Sequence, residues 1–349
     1  MNKLINENHM LNIGVIGVGS MGRNHARVLA ELPYVNLAAV ADIDTTALYK
    51  VARTYRARPY TDYRDMLDEE PLDVVSLVVP TALHYPIAKE IIERGIHVFV
   101  EKPFTLRVEE GKELIAAAAQ KNVKLGVGHI ERFNPAVVEL KRRLEHAQLG
   151  RVYQIHARRV GPFPPRVDDV GVILDLATHE LDIMEYITGS PVSSLYAETE
   201  RKIHASHEDL LLGVLKFENG TVGVLDINWL TPTKIRELAL LGERGMFLVN
   251  YLTQDFYFYE NAFTNGQWEG LTAIMGVSEG RRIKYEIKRR EPLRVELEDF
   301  VNCVLHGGRP AVPGEEALRA VFLAEKMIQS GETGQVIHLL NGEGAKALE

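Results

Sequence analysis

The fold is decided by Asn12–Gly22, whose sequence NIGVIGVGSMG lies near the start of this 349-residue chain. Its first part, Asn12–Val18, is an apolar run, and a helical pattern, Met21–Glu31, follows it directly. Glycines at positions 17, 19 and 22 give the spacing G-x-G-x-x-G between strand and helix. A buried strand that passes through such glycines into a helix is the opening unit of a doubly wound α/β sheet.

The same alternation of strand and helix continues to about Gly128. The apolar runs are short and nearly continuous, which is typical of strands buried on both faces, and helix-length amphipathic stretches separate them. The predicted strands are Asn12–Val18, Val35–Ala41, Val74–Val79, His97–Val100 and Val123–Val127, and the predicted helices are Met21–Glu31, Thr45–Tyr55, His84–Arg94 and Val108–Lys121. We therefore expect residues 10–128 to form a Rossmann domain with a parallel sheet.

After Gly128 the pattern changes, because several strands follow one another without helices between them. Asn219-Gly220 separates two of these strands and is a strong signal for a type I′ hairpin. The predicted strands are Val152–Val160, Ser194–Lys202, Leu210–Phe217, Thr221–Trp229, Ile235–Leu241 and Phe247–Tyr259, and the predicted helices are Asn134–His146, Val172–Ile187, Arg294–Leu305 and Glu315–Ser330. We expect residues 129–349 to form an α+β domain on a mostly antiparallel sheet.

Asp42 makes the glycine motif informative, because it stands at the end of the second predicted strand. A carboxylate there accepts hydrogen bonds from an adenosine ribose and repels a 2′-phosphate, so we expect NAD rather than NADP. The first helix would supply N–H groups for the two phosphates. The alternatives are an ordinary strand–helix turn and a capping carboxylate, the latter more for Asp44 than for Asp42. The expected cofactor contacts here are Gly17, Gly19, Ser20, Met21, Gly22 and Asp42.

Further cofactor contacts are expected where the strand Val74–Val79 ends. In a doubly wound sheet, ligands lie outside the carboxyl ends of the strands, so Pro80 and Thr81 would line the nicotinamide side. His84 follows at the start of a helix. It either contacts the cofactor or only begins that helix, and both interpretations stay open.

The composition is that of a globular protein with an acidic balance. Forty Lys and Arg against 48 Asp and Glu give a net charge of −8, which argues against an extended basic surface for nucleic acid or membranes but not against a local cationic pocket. The one cysteine, Cys303, rules out an internal disulfide and a cysteine-based zinc cluster, and we expect no metal site. Met1–His9 is predicted to be a leader or disordered, and it has no apolar core of a secretory signal; we expect a cytoplasmic protein.

Two further motifs reveal a family resemblance. Glu101-Lys102-Pro103 follows the strand His97–Val100, and Asp175-Leu176-Ala177-Thr178-His179 places D-x-x-x-H in a predicted helix. With the glycine motif and in this order, they make the chain resemble the glucose–fructose oxidoreductase/inositol dehydrogenase (Gfo/Idh/MocA) family over nearly its whole length. The resemblance implies an NAD-dependent dehydrogenase with a Rossmann domain, a substrate domain on an open sheet, and homodimers or homotetramers.

The resemblance also implies roles for individual residues. Lys102, beside Glu101, would lie between the nicotinamide and the carbinol that is oxidised. His179 has an ordinary pKa near 6.5 that suits proton abstraction, and Asp175, four residues earlier on one helix face, would orient it or hold a sugar hydroxyl. Asp182 lies on the same face. Whether Lys102 or His179 is the main base stays open, and a solvated Asp–His pair on a surface helix is the alternative.

The stretch Gly128–Pro135, GHIERFNP, looks like the version in nucleotide-sugar 3-dehydrogenases, and Asn228–Lys234 is similar. It makes Arg132 and Asn134 candidate substrate contacts. A diphosphate needs cations, for which arginine is well suited. The other candidate cations are Arg158, Arg159, Arg166 and Lys234, with Arg236 beginning the same strand as Lys234. Adjacent Arg158 and Arg159 must point to opposite faces, and surface solvation is the alternative for each.

These observations favour oxidation of a sugar hydroxyl, with C3 of UDP-N-acetylglucosamine or a related nucleotide sugar as the expected position. A dehydrogenase of free monosaccharides or inositols is the second hypothesis. A non-catalytic Rossmann protein that senses dinucleotide or sugar is the third, although a sensor has no need for Lys102, Asp175 and His179.

Overall fold

The computed structural model describes residues 10–164, 169–262 and 279–339. It contains two compact units: one extends to Ile130 and includes Glu291–Phe322, and the other comprises Glu131–Arg290 and the chain from Leu323. The predicted leader lies outside the described residues. The division into two domains at Gly128 stays a prediction. That prediction did not include the return of the chain to the first unit at Glu291.

The first unit is built on a six-stranded parallel sheet with the order β3-β2-β1-β4-β5-β6. Its strands are β1 (Leu11–Ile16), β2 (Val35–Ala41), β3 (Arg58–Tyr60), β4 (Val74–Leu77), β5 (His97–Glu101) and β6 (Leu125–Gly128). The predicted doubly wound parallel sheet is confirmed. The sequence pattern missed β3, since its three residues, two of them exposed, show no apolar run.

Among the described residues, six α-helices lie wholly within this unit: α1 (Gly22–Glu31), α2 (Thr45–Tyr55), α3 (Tyr63–Glu69), α4 (His84–Glu93), α5 (Val108–Lys121) and α8 (Pro292–His306). Local chemistry sets their ends, as in α2. The Asp44 carboxylate accepts hydrogen bonds from the N–H groups of Thr46 and Ala47 at its start, and Arg56 ends it in the left-handed conformation. The capping alternative considered for Asp44 therefore describes that residue.

Helix α8 completes the core of the first unit. Leu293, Leu297 and Phe300 are buried in the same apolar cluster as Ile13, and the Phe300 ring meets the Phe99 ring edge-on at 5.3 Å. The cysteine of this helix is buried too, as expected for a core residue.

The second unit is built on a nine-stranded sheet with the order β14-β13-β12-β11-β7-β10-β9-β8-β15. Its strands are β7 (Val152–Pro162), β8 (Val192–Glu200), β9 (Leu210–Phe217), β10 (Val222–Asn228), β11 (Leu230–Gly242), β12 (Gly245–Asn250), β13 (Asp255–Asn261), β14 (Glu279–Tyr285) and β15 (Ile337–His338). Only the β7–β10 pair among these strands is parallel, so the predicted mostly antiparallel sheet is confirmed. Helices α6 (Pro135–Glu145) and α7 (Thr178–Thr188) belong to this unit, and α9 (Gly314–Thr333) begins in the first unit and ends in this one.

Two predicted elements of this unit are wrong in detail. The single strand Phe247–Tyr259 is a hairpin of β12 and β13, because the Asn250 side chain accepts hydrogen bonds from the next turn's N–H groups and Gln254 adopts a positive φ of 56°. The helix predicted from Val172 begins as a π-helical turn, Ile173–Ala177, before α7 starts. The spacing of apolar residues reveals neither the hairpin turn between β12 and β13 nor the π-helical turn before α7.

The fold of the first unit positions a ligand site by its topology. The carboxyl ends of β1, β2, β4 and β5 lie at one edge of the parallel sheet, and the chain there continues into Gly17, Asp42, Pro80 and Lys102. In the described ranges, no helix is long and apolar enough to cross a bilayer.

Candidate active site

Three glycines shape the turn between β1 and α1, and each has a different reason. A Cβ on Gly17, whose φ is 86°, would lie 2.2 Å from the Val78 carbonyl oxygen, and one on Gly22 would lie 1.8 Å from the Gly17 carbonyl oxygen. Both glycines are therefore needed to build the turn. A Cβ on Gly19 would meet nothing within 4 Å, and Gly19 is exposed. The space beside Gly19 is thus left open to a ligand that approaches the backbone.

The Asp42 carboxylate is fixed beside this turn. Its Oδ2 accepts a hydrogen bond from the Val18 N–H at 2.6 Å, and its Oδ1 accepts one from the Asp44 N–H at 2.8 Å. A carboxylate has about four acceptor positions, so roughly two remain for ligand hydroxyls. This is the geometry that a ribose 2′,3′-diol requires.

A cavity of about 510 Å³ lies at this edge of the sheet and joins the predicted cofactor residues. Gly17, Gly19, Asp42 and Pro80 line it, together with Ile43, Thr61, Tyr63, Arg64, Leu83 and Pro86. Its walls are mostly apolar, and Asp42 supplies the carboxylate at the glycine turn. Such a slot fits a flat heterocycle with a ribose at its polar end.

The structure places the other predicted residues of this motif differently. Ser20 is exposed at the turn, whereas Met21 packs its side chain against the apolar cluster beneath α1. Thr81 is buried at the start of a 3₁₀ turn, Thr81–Leu83, and Leu83 lines the cavity in its place. Sequence reasoning missed Ile43, which directly follows Asp42, is 91 % exposed and lines the cavity.

His84 is buried between two loops rather than at the cavity wall. Its Nδ1 lies 2.8 Å from the Pro103 carbonyl oxygen and its Nε2 lies 3.0 Å from the Val79 carbonyl oxygen. Burial lowers the pKa of this imidazole. His84 therefore connects the chain just before Pro80, at the end of β4, with the chain just after Lys102, at the end of β5. Contact between His84 and the cofactor stays a prediction.

Glu101 and Lys102 follow one another at the end of β5. Glu101 is buried, and its Oε1 lies 2.9 Å from His25 Nε2 while its Oε2 accepts the backbone N–H of Lys102 at 3.0 Å. Lys102 is half-buried, and the peptide bond to Pro103 is cis. Sequence reasoning missed His25, which stands three residues after the last glycine of the motif.

In the second unit, the segment that carries D-x-x-x-H is pinned by Glu208. The Glu208 carboxylate accepts the Ile173 N–H at 3.1 Å, and a Cβ on Gly171 would lie 2.1 Å from that carboxylate. Asp175 is half-buried in the π-helical turn, and His179 is buried in the first turn of α7. The segment thus begins as a π turn rather than as a regular α-helix, and a shared helix face for Asp175 and His179 stays a prediction.

Asp182 is paired within the second unit. Arg132 donates to both of its carboxylate oxygens, from Nε at 2.8 Å and from Nη2 at 2.6 Å, and both residues are buried. The guanidinium also stacks on the Tyr186 ring at 4.8 Å. Asn134, two residues after Arg132, caps α6 by accepting a hydrogen bond from the Ala136 N–H, and its amide donates to the Tyr251 carbonyl oxygen.

Arg158 and Arg159 point to opposite faces of β7, as expected. Arg158 is exposed and pairs with Asp226 at 3.1 Å. Arg159 is buried, pairs with Glu131 at 2.6 Å, and donates from Nε to Glu180. Burial raises the pKa of the Glu180 carboxyl, even though the Arg159 charge opposes this.

Lys234 and Arg236 differ from these arginines. Arg236 is half-buried and donates to the carbonyl oxygens of Val160 and Ile235, and burial together with the Arg159 charge lowers its pKa to about 10. Lys234 is exposed. A Cβ on Gly161 would lie 3.3 Å from Lys234 Cγ and 3.8 Å from the Arg236 terminal nitrogens, so the buried Gly161 lets both cations pack closely against its backbone.

In the part of the chain that the structure describes, neither Lys234 nor Arg236 has a carboxylate within ion-pair distance. The predicted cation Arg166 lies outside the described residues. No group of three or more His, Cys, Asp or Glu side chains within the described ranges could hold a metal ion.

Two family descriptions match the chain. Residues 11–129 match the oxidoreductase family with an NAD-binding Rossmann fold, and residues 137–248 match the GFO/IDH/MocA C-terminal domain. The UDP-N-acetylglucosamine 3-dehydrogenase of Acidithiobacillus ferrooxidans is 30 % identical over 316 residues, which cover 90 % of this chain and 95 % of that protein. A solved structure of that dehydrogenase superposes with a TM-score of 0.81 at 28 % identity, over 93 % of this chain and 98 % of that one.

A relative with a different substrate is nearly as similar. The myo-inositol 2-dehydrogenase of Thermotoga maritima is 25 % identical, over 94 % of this chain and 98 % of that protein. Relatives named for a nucleotide sugar and for a free polyol therefore both align along the whole chain.

Proposed function

This chain belongs to the Gfo/Idh/MocA family of NAD-binding oxidoreductases, it is a dehydrogenase acting on CH–OH groups, and we propose that its substrate is a nucleotide sugar. The proposed reaction oxidises the 3-hydroxyl of UDP-N-acetylglucosamine or a close relative to the 3-keto sugar. NAD, rather than NADP, is the proposed acceptor.

One observation carries the choice of a nucleotide sugar. Arg236 is a half-buried cation that donates to backbone carbonyl oxygens, and the exposed Lys234 lies beside the same glycine, Gly161. The lowered pKa of Arg236 reports that its charge is incompletely compensated in this environment. An anionic substrate group would supply that compensation, whereas a free polyol carries no charge. The higher identity to the UDP-N-acetylglucosamine enzyme points the same way.

The proposed chemistry assigns roles to three side chains. The nicotinamide of NAD supplies the hydride acceptor when it is bound. Lys102 hydrogen-bonds the substrate oxygen and stabilises the developing alkoxide, and His179 removes the hydroxyl proton; which of the two is the main base is part of the test. Asp175 orients His179 or holds a neighbouring sugar hydroxyl.

The preference for NAD rests on Asp42. Its carboxylate is fixed by two backbone N–H groups and lines the cavity at the end of the sheet, where a 2′-phosphate would meet a negative charge. The contacts expected for the cofactor are therefore Gly17, Gly19 and Asp42, with Ile43 and Leu83 against the adenine.

A dehydrogenase of free monosaccharides or inositols is the second candidate, favoured by the Thermotoga maritima relative. A panel of UDP-sugars, free sugars and inositols, each with NAD and with NADP, separates the candidates by the absorbance of reduced cofactor. Turnover of an inositol without turnover of any nucleotide sugar would contradict the first proposal. Lys102→Ala at full rate would contradict the assigned chemistry.

A paired substitution tests the cationic subsite. We expect Arg236→Gln to raise KM for the nucleotide sugar about tenfold or more, because one charge-assisted hydrogen bond contributes about 1.5–3 kcal/mol. Arg244→Gln is the matched control, since Arg244 also donates to a backbone carbonyl oxygen, that of Ala147, on the same unit. An equal KM for both variants would exclude Arg236 as a substrate contact.

We also propose that the chain forms a homodimer or homotetramer through its open sheet. Leu212, Val214 and Leu241 lie on one face of that sheet and are 50 %, 48 % and 44 % exposed. Exposed apolar side chains grouped on one sheet face mark an interaction surface. Light scattering on wild type and on Leu212→Glu/Val214→Glu tests it; a monomeric wild type would overturn it.

A further inference from the structure

Three polar side chains form a buried chain of hydrogen bonds behind Lys102 in the first unit. Ser76 on β4, His25 on α1 and Glu101 at the end of β5 are 1 %, 0 % and 7 % exposed. His25 Nδ1 lies 2.9 Å from Ser76 Oγ, and His25 Nε2 lies 2.9 Å from Glu101 Oε1. The second oxygen of Glu101 accepts the backbone N–H of Lys102 at 3.0 Å.

The partners assign the proton positions. Since an ionised carboxylate only accepts, His25 Nε2–H must donate to Glu101, and in the neutral ring Nδ1 then accepts the Ser76 hydroxyl proton. The hydrogen bond from His25 lowers the pKa of Glu101 against the opposing effect of burial, so the carboxylate stays ionised. Donation thus runs from Ser76 through His25 to Glu101, and the Lys102 N–H donates to the other oxygen of the same carboxylate.

Gly128 at the end of β6 makes room for this arrangement. A Cβ at that position would lie 3.1 Å from three atoms of the Glu101 carboxyl group. Any larger residue would therefore push the carboxylate from the place where it accepts both hydrogen bonds. Four elements, α1, β4, β5 and β6, thus contribute residues to this one network.

A merely structural role explains this network poorly. Burying an ionised carboxylate and an imidazole costs free energy that an apolar pair of the same volume would not cost. The network sits at the strand end that precedes Lys102, and its histidine is carried by α1, the helix that opens at the glycine turn. It therefore ties the backbone of Lys102 to the helix proposed to hold the cofactor phosphates.

We propose that His25 is a positioning residue that acts through Glu101 to hold Lys102 in its working geometry. The inference rests on the proposed role of Lys102 at the substrate oxygen but not on the identity of the sugar. It predicts that loss of His25 slows the chemical step and leaves cofactor binding intact. A displacement of about 1 Å in a reacting group is enough to cost about 100-fold in rate.

The first test compares His25, which belongs to the network, with His97, which lies at the other end of strand β5. His25→Phe removes both side-chain hydrogen bonds, whereas His97→Phe, at the start of β5, removes one bond to the Lys124 N–H at the opposite edge of the sheet. We expect kcat to fall about 10- to 100-fold for His25→Phe, with KM for NAD unchanged, and to stay unchanged for His97→Phe. An unchanged kcat for His25→Phe would overturn the proposal.

A conservative variant separates geometry from folding. Glu101→Gln retains an oxygen for the Lys102 N–H and an amide that donates to His25, whose ring then donates to Ser76. We expect Glu101→Gln to keep most of kcat and Glu101→Ala to lose as much as His25→Phe. The double variant His25→Phe/Glu101→Ala should lose no more than either single variant, because both interrupt one chain; losses that multiply would contradict it.

A third readout needs no turnover and so remains informative if the proposed substrate is wrong. Reductive methylation with ¹³C-formaldehyde labels each lysine amine, and a Lys102→Arg variant identifies the Lys102 resonance. We expect that resonance to shift in His25→Phe and Glu101→Ala, and to stay in place in His97→Phe. A Lys102 resonance that does not move in His25→Phe would overturn the positioning role, whatever sugar the enzyme oxidises.

Discussion

Replacing Asp42 by serine should change the choice between NAD and NADP. Two of the roughly four acceptor positions of the carboxylate are occupied by the N–H groups of Val18 and Asp44, which leaves about two for the ribose diol. A hydrogen bond to a charged acceptor contributes about 1.5–3 kcal/mol. Since about 1.4 kcal/mol is a factor of ten, losing one such bond raises Kd for NAD about 10- to 100-fold.

The same substitution should relieve the repulsion of NADP. A 2′-phosphate carries a charge of about −1.5 to −2, and at about 5 Å with an effective dielectric constant of about 20 each unit of charge costs about 3 kcal/mol against Asp42. Together with the weaker binding of NAD, Asp42→Ser should lower the NAD/NADP ratio of kcat/KM by at least about 100-fold. Salt should shrink the difference, because part of it is Coulombic.

The assay and its control follow from the neighbouring carboxylate. Steady-state reduction of each cofactor by wild type, Asp42→Ser and Asp44→Ser gives the three ratios. Asp44 has the same charge two positions on, but it caps α2, a role that serine also fills. Asp44→Ser should therefore leave the ratio nearly unchanged. A wild type that prefers NADP, or equal shifts for the two variants, would refute the reasoning.

Three other substitutions have expected outcomes. Gly19→Ala should abolish NAD binding without lowering the free energy of unfolding. Gly22→Ala should lower both the affinity for NAD and the free energy of unfolding, because only the Cβ at position 22 meets the backbone. Calorimetric titration measures the affinity, and urea unfolding measures the stability. Asp182→Ala should lower the stability of the second unit by about 3–5 kcal/mol, since it leaves the buried Arg132 guanidinium without that carboxylate, and a melting curve like that of wild type would exclude this. Burial lowers the pKa of His84 in the folded protein, so below its ordinary pKa of about 6.5 the unfolded state binds more protons and stability falls as pH falls; His84→Gln should flatten the dependence of urea unfolding on pH there.

Local patterns were sufficient to predict most of the first unit. The buried strands β1, β2, β4 and β5 are visible as apolar runs, and Asp42 is identified by its place at the end of the second run, because both features depend on local sequence. Helix α3 and strand β3 were missed, since α3 has seven residues and β3 only three, too short to show a period. The π-helical turn at Asp175 was missed because apolar spacing does not report which carbonyl an N–H reaches.

The partners of the charged side chains could not be predicted in the same way. The sequence predicted cations near the D-x-x-x-H motif but did not show which carboxylates they pair with. Arg132, for example, pairs with Asp182, which is 50 residues away. Arg159 likewise meets Glu131 and Glu180, which are 28 and 21 residues away. Pairings of this kind arise only when strands and helices are packed. Arg132 and Arg159 were both predicted to contact the substrate, and the contacts that the structure shows for them are with groups of the protein itself.

This pairing sharpens the argument from charge. The net charge of −8 says little about one subsite, because screening limits a charge to about 10 Å at ordinary salt and only neighbouring groups count. Arg132 and Arg159 each have carboxylate partners, whereas Arg236 donates its hydrogen bonds to carbonyl oxygens. An anionic ligand therefore gains most from Arg236. A carboxylate added beside it, as in Gly161→Asp, should pair with Arg236 and Lys234 and so weaken binding of a nucleotide sugar more than binding of a free inositol.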